Sequence, residues 1–271
     1  MAIRKYRFNE NRSFGVEIEC FCKVSRRELG EIMESAGIKA RVSIGYTHNT
    51  DSSNDTDWWI KTDGSLYTNG LPEGYTPMEI VSPVLKGTDG LEQIRKVCAI
   101  LAREGIEAKV NSTCGLHVHH VVRDYTNRDF KVLIHNYAVG QKAINDVLPE
   151  SRRYSNYART MERWASDEVL KLSASEFRDT FASDRYMAVN YNSYAIRGTI
   201  EFRQHNGTVN AEEIVNWVIL TQAIIEKSKT GCIGEAVTID NLCWRLGVFR
   251  RSSKELVEFY MNRAIAFTVG V

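Results

Sequence analysis

The chain has 271 residues, of which 43% are hydrophobic and 25% are charged, and its net charge is +1. These values are typical of a soluble globular protein, and they give no electrostatic reason to expect nucleic acid or an anionic membrane as a partner. The sequence shows no secretory signal, no membrane-spanning stretch and no C-x-x-C pair among its six cysteines. We therefore expect a cytoplasmic protein with reduced thiols and no zinc site built on cysteines.

The first half of the chain is predicted to combine five strands with two helices. Alternating apolar residues predict strands at residues 12–24, 38–44, 58–63, 78–84 and within 109–122. Ser25 and Glu28 have the spacing of a capping box, for a helix that ends near Gly37. Thr88 is the expected N-cap of a helix that continues to about residue 103. The polar residues 45–57 are predicted to form a loop.

The second half is predicted to be mainly helical. An apolar period of 3.6 residues predicts one long helix at 127–148, followed by short helices and loops at 150–184. Residues 186–194 and 199–204 are the last predicted strands, and Asn210 is the expected N-cap of a helix to about residue 227. Two more helices follow. The prediction is a single α+β domain over residues 1–271, with a helical portion from about residue 210.

Three predicted strands carry apolar residues on one face and chemically reactive residues on the other, because successive side chains of a strand point to opposite faces. The reactive faces carry Glu17 and Glu19, His117 and His119, and Glu201 and Arg203. A solvated face would also alternate, but adjacent carboxylates repel each other and gain nothing without a cation. If the strands pair into one sheet, these residues predict a site for Mg²⁺ or Mn²⁺.

Two more acids are candidates for this site because of their context. Asp63 ends a predicted strand in K-T-D-G-S, where a turn residue ahead of Gly64 is an equally good interpretation. Glu79 lies in M-E-I-V-S-P, and the alternative for it is a charged residue on an edge strand.

Several other reactive residues have structural interpretations. Cys114 is either a nucleophile or a packed thiol, and its position before a strand favours the thiol. His120 shares the apolar face of its strand and is predicted to be a core histidine. Trp58 and Trp59 are predicted either to contact substrate or adenine, or to pack in the core.

Six short segments of the chain match the pattern of a known family in the same order. They are FGVEIE (14–19), DGS (63–65), EIVSP (79–83), CGLHVH (114–119), PESRR (149–153) and TIEFRQHNGT (199–208). Together they resemble the amidoligases, carboxylate–amine ligases related to glutamate–cysteine ligase within the glutamine synthetase superfamily. The resemblance implies a curved antiparallel sheet flanked by helices, with ATP and metal ions on its concave face. Residues 46–57 and the tail after about residue 231 match poorly.

The resemblance also implies roles for individual residues. The implied metal ligands are Glu17, Glu19, Asp63, Glu79, His117 and Glu201. Which of His117 and His119 contacts the metal is left open, and His119 or a carboxylate is the candidate acceptor of the amine's proton. Arg203 is implied to contact phosphate, and Arg152 and Arg153 to hold phosphate or the carboxylate substrate. Lys61 is a further candidate for contact with the cofactor.

The implied reaction is ATP-dependent formation of an amide or isopeptide bond through an acyl phosphate. Its substrates would be an amine and a carboxylate from an amino acid, a peptide or a protein side chain. The sequence has no G-x-x-x-x-G-K-[ST] loop to bind the phosphates, and the resemblance implies that metal ions and arginine neutralise their charge. The alternatives are a nucleotide-independent metal hydrolase, which leaves Arg203 without a task, and a non-catalytic binding protein that retains the fold.

Overall fold

The computed structural model describes residues 6–43, 56–251 and 253–269. The chain divides into two compact units: unit A is Glu10–His119 with His205–Val218, and unit B is Met1–Asn9, His120–Gln204 and Ile219–Val271. Both units combine strands with helices, so the predicted α+β class is confirmed. The curved sheet of the glutamine synthetase type and the single domain over residues 1–271 stay predictions. None of the helices in the described part has the length and apolar character needed to cross a membrane.

Unit A is built on a sheet of mostly antiparallel strands. Its elements are β1 (Ser13–Cys22), α1 (Arg26–Ser35), β2 (Ala40–Val42), β3 (Trp58–Lys61), β4 (Thr76–Val81), β5 (Leu85–Lys86), α2 (Gly87–Leu101) and β6 (Gly115–Val121). The strand order is β2-β3-β4-β1-β6, and β5 pairs with β1. The pairs β1–β4, β1–β5 and β3–β4 are antiparallel, whereas β2–β3 is parallel.

One face of this sheet is the core of unit A. Ile18 of β1 lies opposite Ile80 of β4, which lies opposite Ile60 of β3, and all three are buried. Helix α1 packs against this face. Its Gly30 lies so close that a Cβ added there would be 3.8 Å from the Ile60 side chain. Covering one face leaves the other face of the same strands to carry polar groups.

Unit B contains most of the helices. Its elements in chain order are α3 (Asn127–Val139), α4 (Gln141–Asp146), α5 (Glu150–Arg153), a short 3₁₀ helix (Glu162–Trp164), α6 (Glu168–Lys171), α7 (Ala174–Phe181), β7 (Val189–Asn190), α8 (Asn192–Arg197), β8 (Thr199–Asn206), α9 (Ala211–Thr230), α10 (Ile239–Leu246) and α11 (Lys254–Val269). Strand β8 and helix α9 each cross the boundary with unit A. Strands β7 and β8 are antiparallel. The predicted short helices after residue 150 are confirmed, and helices α9, α10 and α11 follow β8.

Two predicted helix caps are confirmed. Ser25 and Glu28 form the capping box of α1, and Asn210 Oδ1 accepts hydrogen bonds from the N–H groups of Glu212 and Glu213 at 2.9 and 3.2 Å. The cysteines all lie in the described residues and form no disulfide. Most of the predicted loop at 45–57 lies outside the described residues.

The prediction that Thr88 caps a helix is wrong. Helix α2 begins one residue earlier, at Gly87, so Thr88 lies inside its first turn. The carboxylate of Glu10 accepts hydrogen bonds from the Thr88 N–H and hydroxyl groups at 2.7 and 2.8 Å. An acid 78 residues away in the sequence therefore satisfies this helix N-terminus.

The prediction of one long helix at 127–148 is also wrong. The segment forms α3 and α4, which are separated at Gly140. A Cβ at Gly140 would lie 2.9 Å from the Leu242 side chain, so the glycine allows α10 to approach closely. Glycine also has a low helix propensity, which favours the break at this position.

The predicted strand at 186–194 is mostly wrong. Only Val189–Asn190 is a strand, and Asn192–Arg197 forms α8. Asn190 Oδ1 accepts a hydrogen bond from Asn192 N–H at 2.9 Å, which turns the chain into the helix. Gly198 then ends the helix in the left-handed conformation, with φ +70°.

We expect Gly207→Ala to destabilise the protein by about 3 kcal/mol in denaturant unfolding, because overpacking strains a close contact. The Gly207 N–H donates to the Cys114 carbonyl at 2.9 Å, and a Cβ added to Gly207 would lie 2.2 Å from the Cys114 Cβ. Gly105→Ala is the control, since φ is +86° there but no atom lies within 4 Å. Backbone strain alone should lower the free energy of unfolding of Gly105→Ala by about 1 kcal/mol. Equal losses in the two variants would contradict the steric explanation.

Candidate functional site

The face of the unit A sheet opposite the apolar core face carries a row of charged residues across three strands. Glu19 of β1 lies directly opposite Glu79 of β4, and Glu79 lies opposite Lys61 of β3. Glu17, two residues before Glu19, shares this face and lies opposite Val81. Because β4 lies between β3 and β1, Glu79 is not on an edge strand, and that alternative is wrong.

Both histidines of G-L-H-V-H reach the same carboxylates from the neighbouring strand β6. His117 Nδ1 lies 3.2 Å from Glu17 Oε2, and its Nε2 lies 3.8 Å from Glu19 Oε1. His119 Nε2 lies 3.3 Å from Glu17 Oε1. Both imidazoles are buried. The structure therefore brings both histidines to the carboxylates, and their spacing does not select one of them as the metal ligand.

The donor atoms of unit A form two overlapping groups that could each hold a metal ion. One group is Glu17, Glu79 and His117, and the other is Glu19, Asp63 and Glu79. Within each group, one ligand atom from every residue lies within 4.8 Å of the others. Carboxylate oxygens with an imidazole nitrogen suit Mg²⁺ and Mn²⁺, so this donor set fits such an ion. Glu79 belongs to both groups.

Hydrogen bonds orient two of these carboxylates. The Gly115 N–H donates to Glu19 Oε2 at 2.6 Å. The Ser65 N–H and hydroxyl groups both donate to Asp63 Oδ1 at 2.6 Å. Asp63 is therefore a turn residue through one oxygen while it also belongs to a possible metal group, so its two interpretations are compatible.

The electrostatics of the carboxylates differ sharply. Burial raises the pKa of Glu79 well above its ordinary value, and the charges of Glu17, Glu19 and Asp63 raise it further, while Lys61 opposes the shift. Burial also raises the pKa of Glu17, but the adjacent imidazoles outweigh it and hold that pKa well below its ordinary value. The surrounding protein thus disfavours the negative charge of Glu79 and favours that of Glu17, and Lys61 lies opposite Glu79 in the sheet register.

Glu201 and Arg203 interact with each other in unit B. Glu201 lies opposite Asn190 in the β7–β8 ladder, and the Asn190 side-chain amide donates to Glu201 Oε2 at 2.6 Å. Arg203 Nη1 donates to the other oxygen of Glu201, and its Nε donates to the Tyr157 carbonyl at 3.3 Å. Glu201 is only 3% exposed, so this carboxylate is held by an amide and a guanidinium. Whether Glu201 also binds metal stays a prediction.

The two arginines of S-R-R contact backbone carbonyl groups. Arg152 donates to two successive carbonyls of β8. Arg153 donates to the carbonyls of Leu148 and Phe267 at 2.9 and 3.3 Å. Backbone contacts of this kind orient the chain, and their roles toward phosphate or substrate stay predictions.

The structural interpretations of the remaining candidates account for what is observed. Cys114 is buried in a small apolar cluster, as expected for a packed thiol. His120 is fully buried, and its Nε2 lies 2.9 Å from the Thr221 hydroxyl. Trp58 is a core residue, whereas Trp59 is half-buried and lies opposite Val81, on the same face of the sheet as Glu17.

The matched family is described as "putative amidoligase enzyme", and its model matches residues 10–225 of this chain. The chain belongs to this amidoligase family. The matched region includes every candidate metal ligand of both units and supports ligase activity in general. A search of curated proteins found no match to this amidoligase.

Sequence reasoning missed two residues that orient carboxylates of this amidoligase. Asn190 lies within the predicted strand 186–194, and nothing in the sequence indicates that it lies opposite Glu201. Gly115 lies inside C-G-L-H-V-H, where a glycine at the start of a strand allows its N–H to approach the Glu19 side chain. Both contacts join segments that are distant along the chain or separated by a turn, so only the fold reveals them.

We expect Glu79→Gln to lower Mn²⁺ affinity by at least about tenfold, because both donor groups share this carboxylate. The same change should raise the melting temperature of the metal-free protein at neutral pH, because it removes an acid whose ionised form burial and the charges of Glu17, Glu19 and Asp63 disfavour, and which therefore takes up a proton when the protein folds. Calorimetric titration and thermal melting measure the two effects. Glu31→Gln, on the exposed side of α1, is the control. Wild-type affinity in Glu79→Gln would remove Glu79 from the metal groups.

Metal affinity is also expected to rise with pH above the ordinary range of glutamate. The raised pKa of Glu79 means that the metal-free protein retains a proton there, which a cation must displace. Displacement of one proton increases affinity by about tenfold per pH unit while that proton is present. The measurement is Mn²⁺ titration at several pH values. The plot of log Mn²⁺ affinity against pH should have a slope that is smaller by up to one proton in Glu79→Gln than in the wild type. This difference separates the contribution of Glu79 from those of the histidines. Equal slopes would refute the assignment of the displaced proton to Glu79.

Proposed function

We propose that this amidoligase is an ATP-dependent ligase that joins a carboxylate to an amine with the help of Mg²⁺ or Mn²⁺. The observation that carries the proposal is the pair of overlapping donor groups that share Glu79. Two adjacent groups suit more than one divalent cation, and a polyphosphate requires such charge to approach an anionic carboxylate. We also expect the curved, glutamine synthetase-like sheet that accompanies this chemistry in related ligases.

The proposed reaction has two balanced steps. A carboxylate oxygen of the substrate attacks the γ-phosphorus of ATP, the bond to the β-phosphate oxygen breaks, and ADP leaves. The amine nitrogen then attacks the carbonyl carbon of the acyl phosphate, phosphate leaves, and the nitrogen gives up one proton. The products are an amide or isopeptide, ADP and phosphate. The amine and carboxylate belong to an amino acid, a peptide or a protein side chain.

The residues of unit A have two tasks in this proposal. Glu17, Glu19, Asp63, Glu79 and His117 hold the divalent cations, which when bound supply positive charge that neutralises phosphate oxygens. His119 accepts the proton of the amine, and Glu17, whose Oε1 lies 3.3 Å from His119 Nε2, orients its imidazole.

Unit B supplies the arginine chemistry. Arg203 contacts the phosphates or the transferred phosphoryl group, because its guanidinium presents several donors in a rigid plane. Its Nε and one terminal nitrogen are held by the Tyr157 carbonyl and by Glu201, which fixes the plane of the group. Glu201 orients Arg203 and is the remaining proposed metal ligand.

The direct test is purified protein with ATP, Mg²⁺ or Mn²⁺ and a pooled library of amines and carboxylates. The expected result is ADP release that requires both substrate classes, together with a product whose mass equals the two substrates minus water. Turnover without nucleotide would instead identify a metal hydrolase. Metal and ATP binding without turnover of any pair would favour the non-catalytic alternative.

We expect Arg203→Lys to slow ADP release by at least about 100-fold, because lysine cannot keep both held nitrogens while it contacts phosphate. Steady-state measurement of ADP gives the rate. Arg250→Lys, an exposed arginine paired with Glu258, is the matched control and should retain the wild-type rate. A wild-type rate in Arg203→Lys would exclude the phosphate role.

Glu201→Gln is expected to abolish turnover and to leave the fold intact. Glutamine has the same shape and can still accept the Asn190 amide bond, but it removes the charge that pairs with Arg203. Circular dichroism checks the fold, and ADP release measures the turnover. Glu258→Gln, on the surface of α11, serves as the comparison. If Glu201→Gln keeps at least half of the wild-type rate, Glu201 belongs neither to the metal site nor to the orientation of Arg203.

A further inference from the structure

The side of β8 opposite Glu201 and Arg203 carries a fully buried glutamine, Gln204. Its side-chain oxygen accepts hydrogen bonds from the Tyr137 hydroxyl and the Gln141 amide, both at 2.8 Å, and its own amide donates to Asn145 Oδ1 at 2.8 Å. Helices α3 and α4 thus hold one residue of β8 from the face that the proposed chemistry does not use.

The partners of Gln204 are themselves tied together. The Gln141 amide also donates to Asn145 Oδ1 at 2.9 Å, and Gln141 Oε1 accepts from the Met161 N–H at 2.9 Å. Tyr137 and Gln141 are fully buried. A buried hydrogen-bond network is rigid when its polar groups have partners, whereas a buried polar group without a partner costs stability. The position of the Gln204 side chain is therefore strongly determined.

Arg152 holds the main chain of the same strand. It is 5% exposed, and it donates from Nη2 to the Arg203 carbonyl at 2.6 Å and from Nε to the Gln204 carbonyl at 3.3 Å. A buried guanidinium requires partners, because its desolvation is costly. The partners at these two nitrogens are successive backbone groups of β8, one of which belongs to the residue proposed to contact phosphate.

We propose that Arg152 and Gln204 are positioning residues that fix the backbone of β8 and thereby aim the side chains of Glu201 and Arg203. The inference rests on the proposed function, because it assumes that Arg203 contacts the phosphoryl group. It assigns Arg152 of the S-R-R segment to the strand carbonyls and not to phosphate. A shift of one ångström in such a strand is enough to reduce a reaction rate severely.

The experiment compares Arg152→Lys with Arg203→Lys and with the double variant. A positioning role predicts that Arg152→Lys lowers kcat by at least about tenfold, while the Kd of Mg²⁺-tripolyphosphate stays within twofold of wild type. In the Arg203→Lys background the same change should have little further effect on kcat, because the two residues act as one unit. Direct binding of phosphate predicts the opposite pattern, with weakened tripolyphosphate binding and additive losses, and would overturn the inference.

Arg263→Lys is the matched control. Arg263 is a half-buried arginine of unit B, and its Nε donates at 2.7 Å to the carbonyl of Val147, a residue outside β8. Hydrogen exchange of residues 199–206 should increase in Arg152→Lys and stay unchanged in Arg263→Lys. Equal exchange and equal kcat in these two variants would overturn the positioning role.

Tyr137→Phe tests the same arrangement if Arg152→Lys fails to fold. It removes one hydrogen bond to Gln204 without changing the packing volume, so kcat should fall by a smaller factor of about three, with unchanged KM for ATP. An unchanged kcat in Tyr137→Phe would count against the role of Gln204. The absence of ADP release in the wild-type protein with every substrate pair would refute the proposed function itself, which is a different outcome from equal rates in active variants.

Discussion

The repulsion between carboxylates on neighbouring strands is the constraint on which the rest of unit A depends. Glu19 and Glu79 are paired directly across β1 and β4, an arrangement that disfavours the sheet when both are charged. The fold tolerates it because Lys61 follows in the next strand and because the pKa of Glu79 is raised. A sheet that carries such a cost without a cation is typical of a site in which stability is exchanged for function.

In unit B a buried carboxylate is stabilised in a different way. Glu201 is as deeply buried as Glu19, but its charge is matched within the protein by Arg203 and by the Asn190 amide. Substitution of a carboxylate is therefore expected to have opposite consequences in the two units. In unit A it relieves repulsion among acids, as for Glu79, whereas in unit B it breaks a buried ion pair. This contrast allows metal binding and arginine positioning to be separated experimentally.

Residue parity predicts the faces of β1 and β6 correctly, because a two-residue period is a property of each strand alone. The register between strands cannot be predicted in this way, since nothing local specifies that Glu79 lies between Glu19 and Lys61. The wrong prediction for the start of α2 has the same origin. The cap of α2 comes from Glu10 at the other end of a long segment. At Gly140 the low helix propensity of glycine favours the break between α3 and α4, and the missing side chain leaves room for Leu242 of α10, a contact that the periodicity of residues 127–148 does not reveal.

The contacts of the S-R-R arginines change the charge balance that the proposed chemistry requires. Arg152 and Arg153 both direct donors to backbone carbonyls. The proposed reaction assigns the phosphate contact to Arg203, and because this guanidinium is already paired with Glu201, it neutralises only part of the charge of a triphosphate. In the proposed reaction the remainder comes from divalent cations, a role for which the two donor groups that overlap at Glu79 are suited.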